Sequence, residues 1–158
     1  MEVRKAVMGD IGRIYELVNH YAEKGLVLPR SRHSIFESVR DFSVAVKDGD
    51  IIGVGALSLA LEGLAEIRAL AISPDHLNAN VGSSLVEAMQ QEALQIGLDK
   101  LFVLTYHPEF FRKAGFREIG KEELPHKVWR DCINCTKFPN CDETAMMQDL
   151  LIQKSSSD

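Results

Sequence analysis

Residues 73–84 join an apolar, strand-like run to a long stretch of helical periodicity. A helix that starts there leaves its first amides without intrahelical partners and carries the positive end of its dipole. A phosphate or pyrophosphate is a natural ligand for such a terminus. Asn78, Asn80 and Gly82 fall in this turn. They are the residue types that best tolerate positive φ, which lets a chain fold its amides inward around an anion. An ordinary connecting loop capped by Asn80 accounts for the same residues, so spacing alone leaves both readings open.

Glu66 and Arg68 stand two apart in the run Leu64 to Ile72 and therefore share one face of a strand. Charge on a central strand is costly unless it is paired or used. Glu66 is suited to act as a general base, directly or through water. Arg68 is suited to hold a carboxylate as a fork. The structural alternative is an ion pair at the end of a sheet. Arg30 and Arg32 flank a serine in a loop that also holds Pro29; they offer two cations to an anionic ligand or are simply solvated. Lys127 and Arg130 are weaker candidates of the same kind. Tyr106 and His107 follow a short buried strand and are candidate proton donors to a leaving group. Cys132-x2-Cys135-x5-Cys141 looks like half a zinc site, with His126 or water as a fourth ligand. Reduced structural cysteines explain the spacing better, so zinc is not favoured and no metal is expected.

The elements that must carry these residues are legible in outline. Val3 to Met8 reads as a short strand, with Asp10 as N-cap of a helix through Ile11, Ile14, Leu17, Val18 and Tyr21. Leu26 to Arg32 reads as a loop and Ser34 to Val39 as a second short helix. Residues 42–47 and 51–59, separated by Asp48-Gly49-Asp50, form a hairpin pattern. The strand 64–72, the helix 81–96 and the strand 101–105 make a βαβ crossover. A short helix over 109–114 and a strand over 116–119 follow. Residues 144–152 fit a strand or a helix equally, and 155–158 read as a flexible tail. The expected fold is mixed α/β, one domain over 1–154.

Composition sets the outer bounds. The chain has 158 residues, 46% hydrophobic and 26% charged, with a net charge of -5. That balance is a globular one, and the acidic net charge argues against general nucleic-acid binding. No apolar run approaches the roughly 18 residues needed to cross a bilayer, and the N-terminus lacks the apolar core of a signal peptide. The expectation is a cytoplasmic protein with no membrane partner; a homodimer stays open.

Ala65-Glu-Ile-Arg-Ala-Leu-Ala-Ile-Ser-Pro-Asp-His, then Val81-Gly-Ser-Ser-Leu-Val, resembles the signature region of the GNAT superfamily of N-acetyltransferases. Phe110-Phe-Arg-Lys-Ala-Gly-Phe116 is similar to that family's later helix-and-GF element. Val3-Arg-Lys-Ala, Arg30-Ser-Arg32, Leu101-Phe-Val-Leu-Thr105, Leu124-Pro125 and the segment from there to Glu143 resemble the short N-acetylglutamate synthases, or amino-acid N-acetyltransferases, among them. Together these cover nearly the whole chain.

The resemblance implies a mostly antiparallel mixed sheet flanked by helices and splayed between two parallel strands, 64–72 and 101–105. It implies acetyl-CoA as cosubstrate, held by Leu70, Ala71 and Ile72 of the strand, by Leu77, Asn78, Ala79, Asn80, Val81, Gly82 and Ser83 of the turn, and by Phe111 and Arg112. It further implies a thioester oxygen held by the Leu70 amide, Glu66 as the base, and Arg30, Arg32 and Arg68 around a small amine substrate. Glutamate is the first acceptor implied, as a step of arginine biosynthesis, by direct attack in a ternary complex.

Two departures stand out. The family's Arg/Gln-x-x-Gly-x-Gly/Ala, aligned on Gly82, puts Leu77 at the first position and Asn80 at the first glycine. The tyrosine that many members place before GF is Phe111 here. Acetylation of another amine, or ligand binding without catalysis, are the rival readings.

Overall fold

The computed structural model describes residues 1–125 and 143–150. Strand β1 (Glu2–Lys5) is followed by helices α1 (Ile11–Ala22) and α2 (Arg32–Glu37). Strands β2 (Phe42–Lys47), β3 (Asp50–Leu61) and β4 (Leu64–Ile72) come next, then helix α3 (Val81–Ile96). Strand β5 (Lys100–Thr105), helix α4 (Pro108–Lys113) and strands β6 (Arg117–Ile119) and β7 (Thr144–Asp149) complete the described chain. The strands form one sheet in the order β1-β2-β3-β4-β5-β7-β6. Pairings β1–β2, β2–β3, β5–β7 and β6–β7 are antiparallel, and β4–β5 is parallel. The expected crossover, β4–α3–β5, is present.

The chain divides into two compact units: residues 1–58 with 67–92, and residues 59–66 with those from 93 onward. In the first, Ile14, Leu17 and Val18 of α1 and Ile35 of α2 meet Phe42 and Val44 of β2, Ile51, Val54 and Ala56 of β3, and Ala71 of β4. The apolar spacing of α1 therefore does what it predicts, covering one face of the sheet. Each large side chain fully buried there contributes on the order of 1.5–3 kcal/mol. Asp48 (φ 52°) and Gly49 (φ 82°) turn the chain between β2 and β3, the two positive φ values that a tight hairpin of native twist needs.

Helix α3 packs over β3 in the same unit, and glycine makes the approach possible. A Cβ on Gly53 would stand 2.6 Å from Val81 Cγ1 and 3.0 Å from Leu85 Cδ1; one on Gly55 would stand 2.9 Å from Met89 Cε. No larger residue fits at 53 without pushing α3 away.

In the second unit, Phe102, Ile119, Leu124, Ala145 and Met147 form the core, with Ala60, Leu64 and Leu104 against it. β7 answers the strand-or-helix ambiguity: it pairs with β5 along all six of its residues.

Local departures have simple causes. Met8 belongs to a 3-10 turn rather than to β1. Asp10 stands at the N-cap position of α1 but makes no side-chain cap to it. Its carboxylate accepts instead from the Val7 amide (2.8 Å) and from the Arg4 guanidinium (2.7 and 3.1 Å). Arg32 is the first residue of α2, because Ser31 caps that helix by accepting from the Ser34 amide at 3.0 Å. No helix among the described residues is long and apolar enough to cross a membrane.

Candidate functional site

The turn ahead of α3 is pinned at its base. The Ser73 amide donates to the Ile52 carbonyl at 2.8 Å, and the Tyr21 hydroxyl donates to the Ile72 carbonyl. Burial pushes the Tyr21 hydroxyl up, which keeps it a donor. Beyond a 3-10 turn over Pro74–His76, residues 77–80 run through solvent. Leu77 is 61% exposed, whereas Val81 is 1% exposed and locks the start of α3 against β3. Asn80 sits at φ 59° and its carbonyl accepts from the Ser84 amide at 3.1 Å. Asparagine thus takes the left-handed conformation for which glycine is the usual residue. The turn thus enters α3 through a left-handed residue without that glycine.

Within β4, Ala69 has φ 53°. A non-glycine residue with positive φ inside a strand is a real outlier. It rotates the Ala69–Leu70 peptide out of the regular pleat and re-aims the Leu70 amide. Leu70 and Ile72 turn their side chains to the α3 side, against the Gly55 and Gly53 positions, while Ala71 lies in the core on the α1 side.

Arg30 and Arg68 both act electrostatically on a residue that the sequence did not single out. Asp41 is half-buried between α2 and β2, and the charged groups facing it are Lys5 from β1, Arg30, Arg68 from β4 and Glu92 from α3. Burial pushes its carboxyl above the usual range, Lys5, Arg30 and Arg68 pull it down, and Glu92 pushes it up. Lys5 and Glu92 form their own ion pair at 2.9 Å. Arg30 is closely held. Its backbone exchanges hydrogen bonds with the Asn19 side chain, and its guanidinium donates to Ser34 Oγ (3.1 Å) and Ser38 Oγ (2.7 Å) while lying 5.4 Å from the centre of the Phe42 ring. The Ser38 carbonyl in turn accepts from the Asp41 amide at 2.9 Å. Serines at 34 and 38 lie four apart on a helical turn, the spacing that puts both on one side.

Arg32 goes elsewhere. It is exposed, stands over the Tyr15 ring at 6.0 Å, and approaches Gly12 of α1. Glu66 is half-buried at the last position of the parallel ladder, opposite Phe102. Phe111, 3% exposed, packs edge-on against Phe110 and Phe116. Arg112 pairs with Glu109 and, at 3.7 Å, with Glu118. Cys132, Cys135, Cys141, His126, Lys127 and Arg130 lie outside the described residues. Two features escaped sequence reasoning. Ala69 gives no signal, since alanine is not a residue of positive φ. Asp41 lies at the junction of a helix and a strand, where an acidic residue is common.

Residues 38–118 match the Acetyltransferase (GNAT) domain family. An N-acetyltransferase of Chlorobaculum tepidum is 41% identical over 148 residues, 94% of this chain and 96% of its own length. The amino-acid acetyltransferase of Vibrio vulnificus is 40% identical over 126 residues; the match takes in 78% of this chain but 28% of that enzyme. Among solved structures, N-acetylglutamate synthase from Neisseria gonorrhoeae, complexed with coenzyme A and N-acetyl-glutamate, superposes with a TM-score of 0.85 at 29% identity, over 94% of this chain and 35% of that one. A Mycobacterium tuberculosis protein in complex with CoA and a second ligand gives 0.81 at 29% identity, over 94% and 99%. The chain belongs to the GNAT acetyltransferase family. It is an N-acetyltransferase, and it spans about a third or less of the length of the Vibrio and Neisseria enzymes.

Proposed function

We propose that this protein transfers the acetyl group of acetyl-CoA to the amino group of a small amino acid, with L-glutamate as first acceptor, as a cytoplasmic step of arginine biosynthesis. The observation that supports the acceptor class is that Arg30 and Arg68 both act on the half-buried Asp41, with Arg68 next along the strand to the outlier at Ala69. Two guanidiniums suit a carboxylate-bearing substrate. The kinship with amino-acid acetyltransferases supports the same class, as does the Neisseria complex with coenzyme A and N-acetyl-glutamate.

In this reading the amides at the start of α3 and the left-handed turn at Asn80 hold the CoA pyrophosphate. The Leu70 amide donates to the thioester oxygen as it gains charge. Glu66 takes the ammonium proton directly or through water. The free amine then attacks the thioester carbon, the C–S bond breaks, and the departing CoA thiolate takes up the second proton lost by the nitrogen, so that CoA thiol and N-acetyl amino acid are the products.

The test is a mass-spectrometric screen of acetyl-CoA against a panel of amino acids and simple amines. Acetylglutamate well above every other product is the expected result. Acetylation confined to amines without a carboxylate would overturn the acceptor assignment. No product with any amine, and no binding of acetyl-CoA, would overturn the catalytic reading itself.

A further inference from the structure

We propose that Tyr21 is a positioning residue for acetyl-CoA: its hydroxyl sets where the turn ahead of α3 leaves the sheet, and so how tightly that turn holds the cofactor. This rests on the reading above, in which the turn carries the CoA pyrophosphate. Tyr21 follows Leu17 by four residues and Val18 by three, the spacing that keeps it on the buried face of α1. Its ring packs against the core that α1 shares with β2, β3 and β4, as Ala69 does. The hydroxyl at the far end of the ring donates to the carbonyl of Ile72, the last residue of β4. The backbone end of Tyr21 is fixed as well. Its carbonyl accepts from the Lys24 and Leu26 amides, each at 3.1 Å, where α1 closes. The rigid ring is thus a strut of fixed length between α1 and the end of β4.

The entry to the turn is where such a strut counts. The Ser73 amide links the chain to β3, at 2.8 Å from the Ile52 carbonyl, and Pro74 has no amide to offer. Leu77 is 61% exposed, and at the far end Val81, 1% exposed, seats α3 on β3. The amides proposed to hold the pyrophosphate lie between these two ends, so a shift at Ile72 is carried into them. Binding groups depend on the residues that support them, and a loosely supported site binds less well. Burial pushes the Tyr21 hydroxyl up, so it remains a donor at neutral pH. Tyr21 acts on the cofactor through the backbone and not on the reacting atoms, so its effect falls on affinity.

The experiment measures the Kd of acetyl-CoA by calorimetric titration, and KM for acetyl-CoA and kcat with L-glutamate. It compares the wild-type protein with Tyr21→Phe and Asp10→Asn, each checked for folding by thermal melt. Tyr21→Phe keeps the ring and removes only the donor. It is expected to raise Kd and KM for acetyl-CoA by about three- to tenfold, the scale of one hydrogen bond, with kcat within about twofold of the wild type. Asp10→Asn perturbs a hydrogen-bonded group of the same unit whose partners are Arg4 and Val7. It is expected to leave all three constants near those of the wild type. A folded Tyr21→Phe protein with unchanged Kd and KM overturns the proposal. An equal rise in Asp10→Asn does so too, because the effect is then a general loss of stability. A Tyr21→Phe protein that does not fold also overturns it, since the hydroxyl would then support the fold rather than the cofactor. Wild-type protein that binds no acetyl-CoA overturns the underlying reading instead, so the two failures are told apart. The titration needs no acceptor and decides even where glutamate is not acetylated.

Discussion

Ala69 holds φ at 53° in the middle of a strand, a conformation that costs an alanine about 1–2 kcal/mol. Such strain persists only where the surroundings over-determine it, and it gathers at functional sites. Here it turns the peptide that leads to Leu70, the amide proposed to hold the thioester oxygen. The side chain itself packs against the α1-side core. Ala69→Gly relieves the strain but loses that methyl contact and loosens the unfolded chain, so the two effects should leave stability within about 1 kcal/mol of the wild type. Ala69→Val adds a β-branched residue where φ is positive and volume where the core is already filled, and should cost about 2 kcal/mol or more. Chemical denaturation of the three proteins checks the pair. A valine variant as stable as the wild type would mean that the outlier is not fixed by its surroundings.

At the scale of elements, the placement of α3 depends on β3 as much as on its own sequence. A Cβ at Gly53 would meet Val81 Cγ1 at 2.6 Å and Ile72 Cδ1 at 3.1 Å. Val81 is β-branched and held at χ1 in the first turn of a helix, so its methyl cannot swing aside. Gly53→Ala should therefore cost about 1–3 kcal/mol and, by shifting the start of α3, weaken acetyl-CoA binding. Gly55→Ala meets the mobile end of Met89 and should be milder on both counts. Denaturation and calorimetric titration with acetyl-CoA check the order. The strand–turn–helix was readable because its periods change from 2 to 3.6 across a turn rich in asparagine, and Asn80 adopts the positive φ that its residue type allows. The two glycines of β3 were readable only as part of an apolar run, since what they make room for lies some thirty residues on. β7 was ambiguous for a related reason. Four of its six residues are buried in succession, so it shows no alternation for a sequence to display. Asp10 reads as a helix cap by type and position; its carboxylate is taken by Arg4 because β1 delivers that guanidinium to it. The electrostatic influence of Arg30 and Arg68 on Asp41 comes from the tertiary fold and has no local signature.

For the molecule as a whole, one buried and one half-buried carboxyl give stability opposite responses to acid. The Arg4 hydrogen bond holds Asp10 below the usual carboxylate range, and the Val7 amide adds to this, against a smaller contrary effect of burial between them. A group whose folded value is depressed stabilises the protein above its unfolded value, and that contribution is lost as pH falls through the folded one. Asp10→Asn should therefore lower stability by about 1–2 kcal/mol at neutral pH, the scale of a hydrogen bond to a charged partner that is itself partly exposed. The gap from the wild type should close as pH drops below the ordinary carboxylate value. Asp41 has the reverse sign. Burial raises its folded value in spite of Lys5, Arg30 and Arg68, with Glu92 assisting. The folded protein then binds that proton more tightly than the unfolded chain does. Its ionisation costs stability above the raised folded value, and the cost vanishes as pH falls through the unfolded one. Asp41→Asn should accordingly be at least as stable as the wild type at neutral pH, and lose that advantage in acid. Denaturant titrations of both variants across the acid range give the two signs separately. An Asp41→Asn variant less stable than the wild type at neutral pH would show that the arginines outweigh burial, and would make Asp41 a structural counterion first.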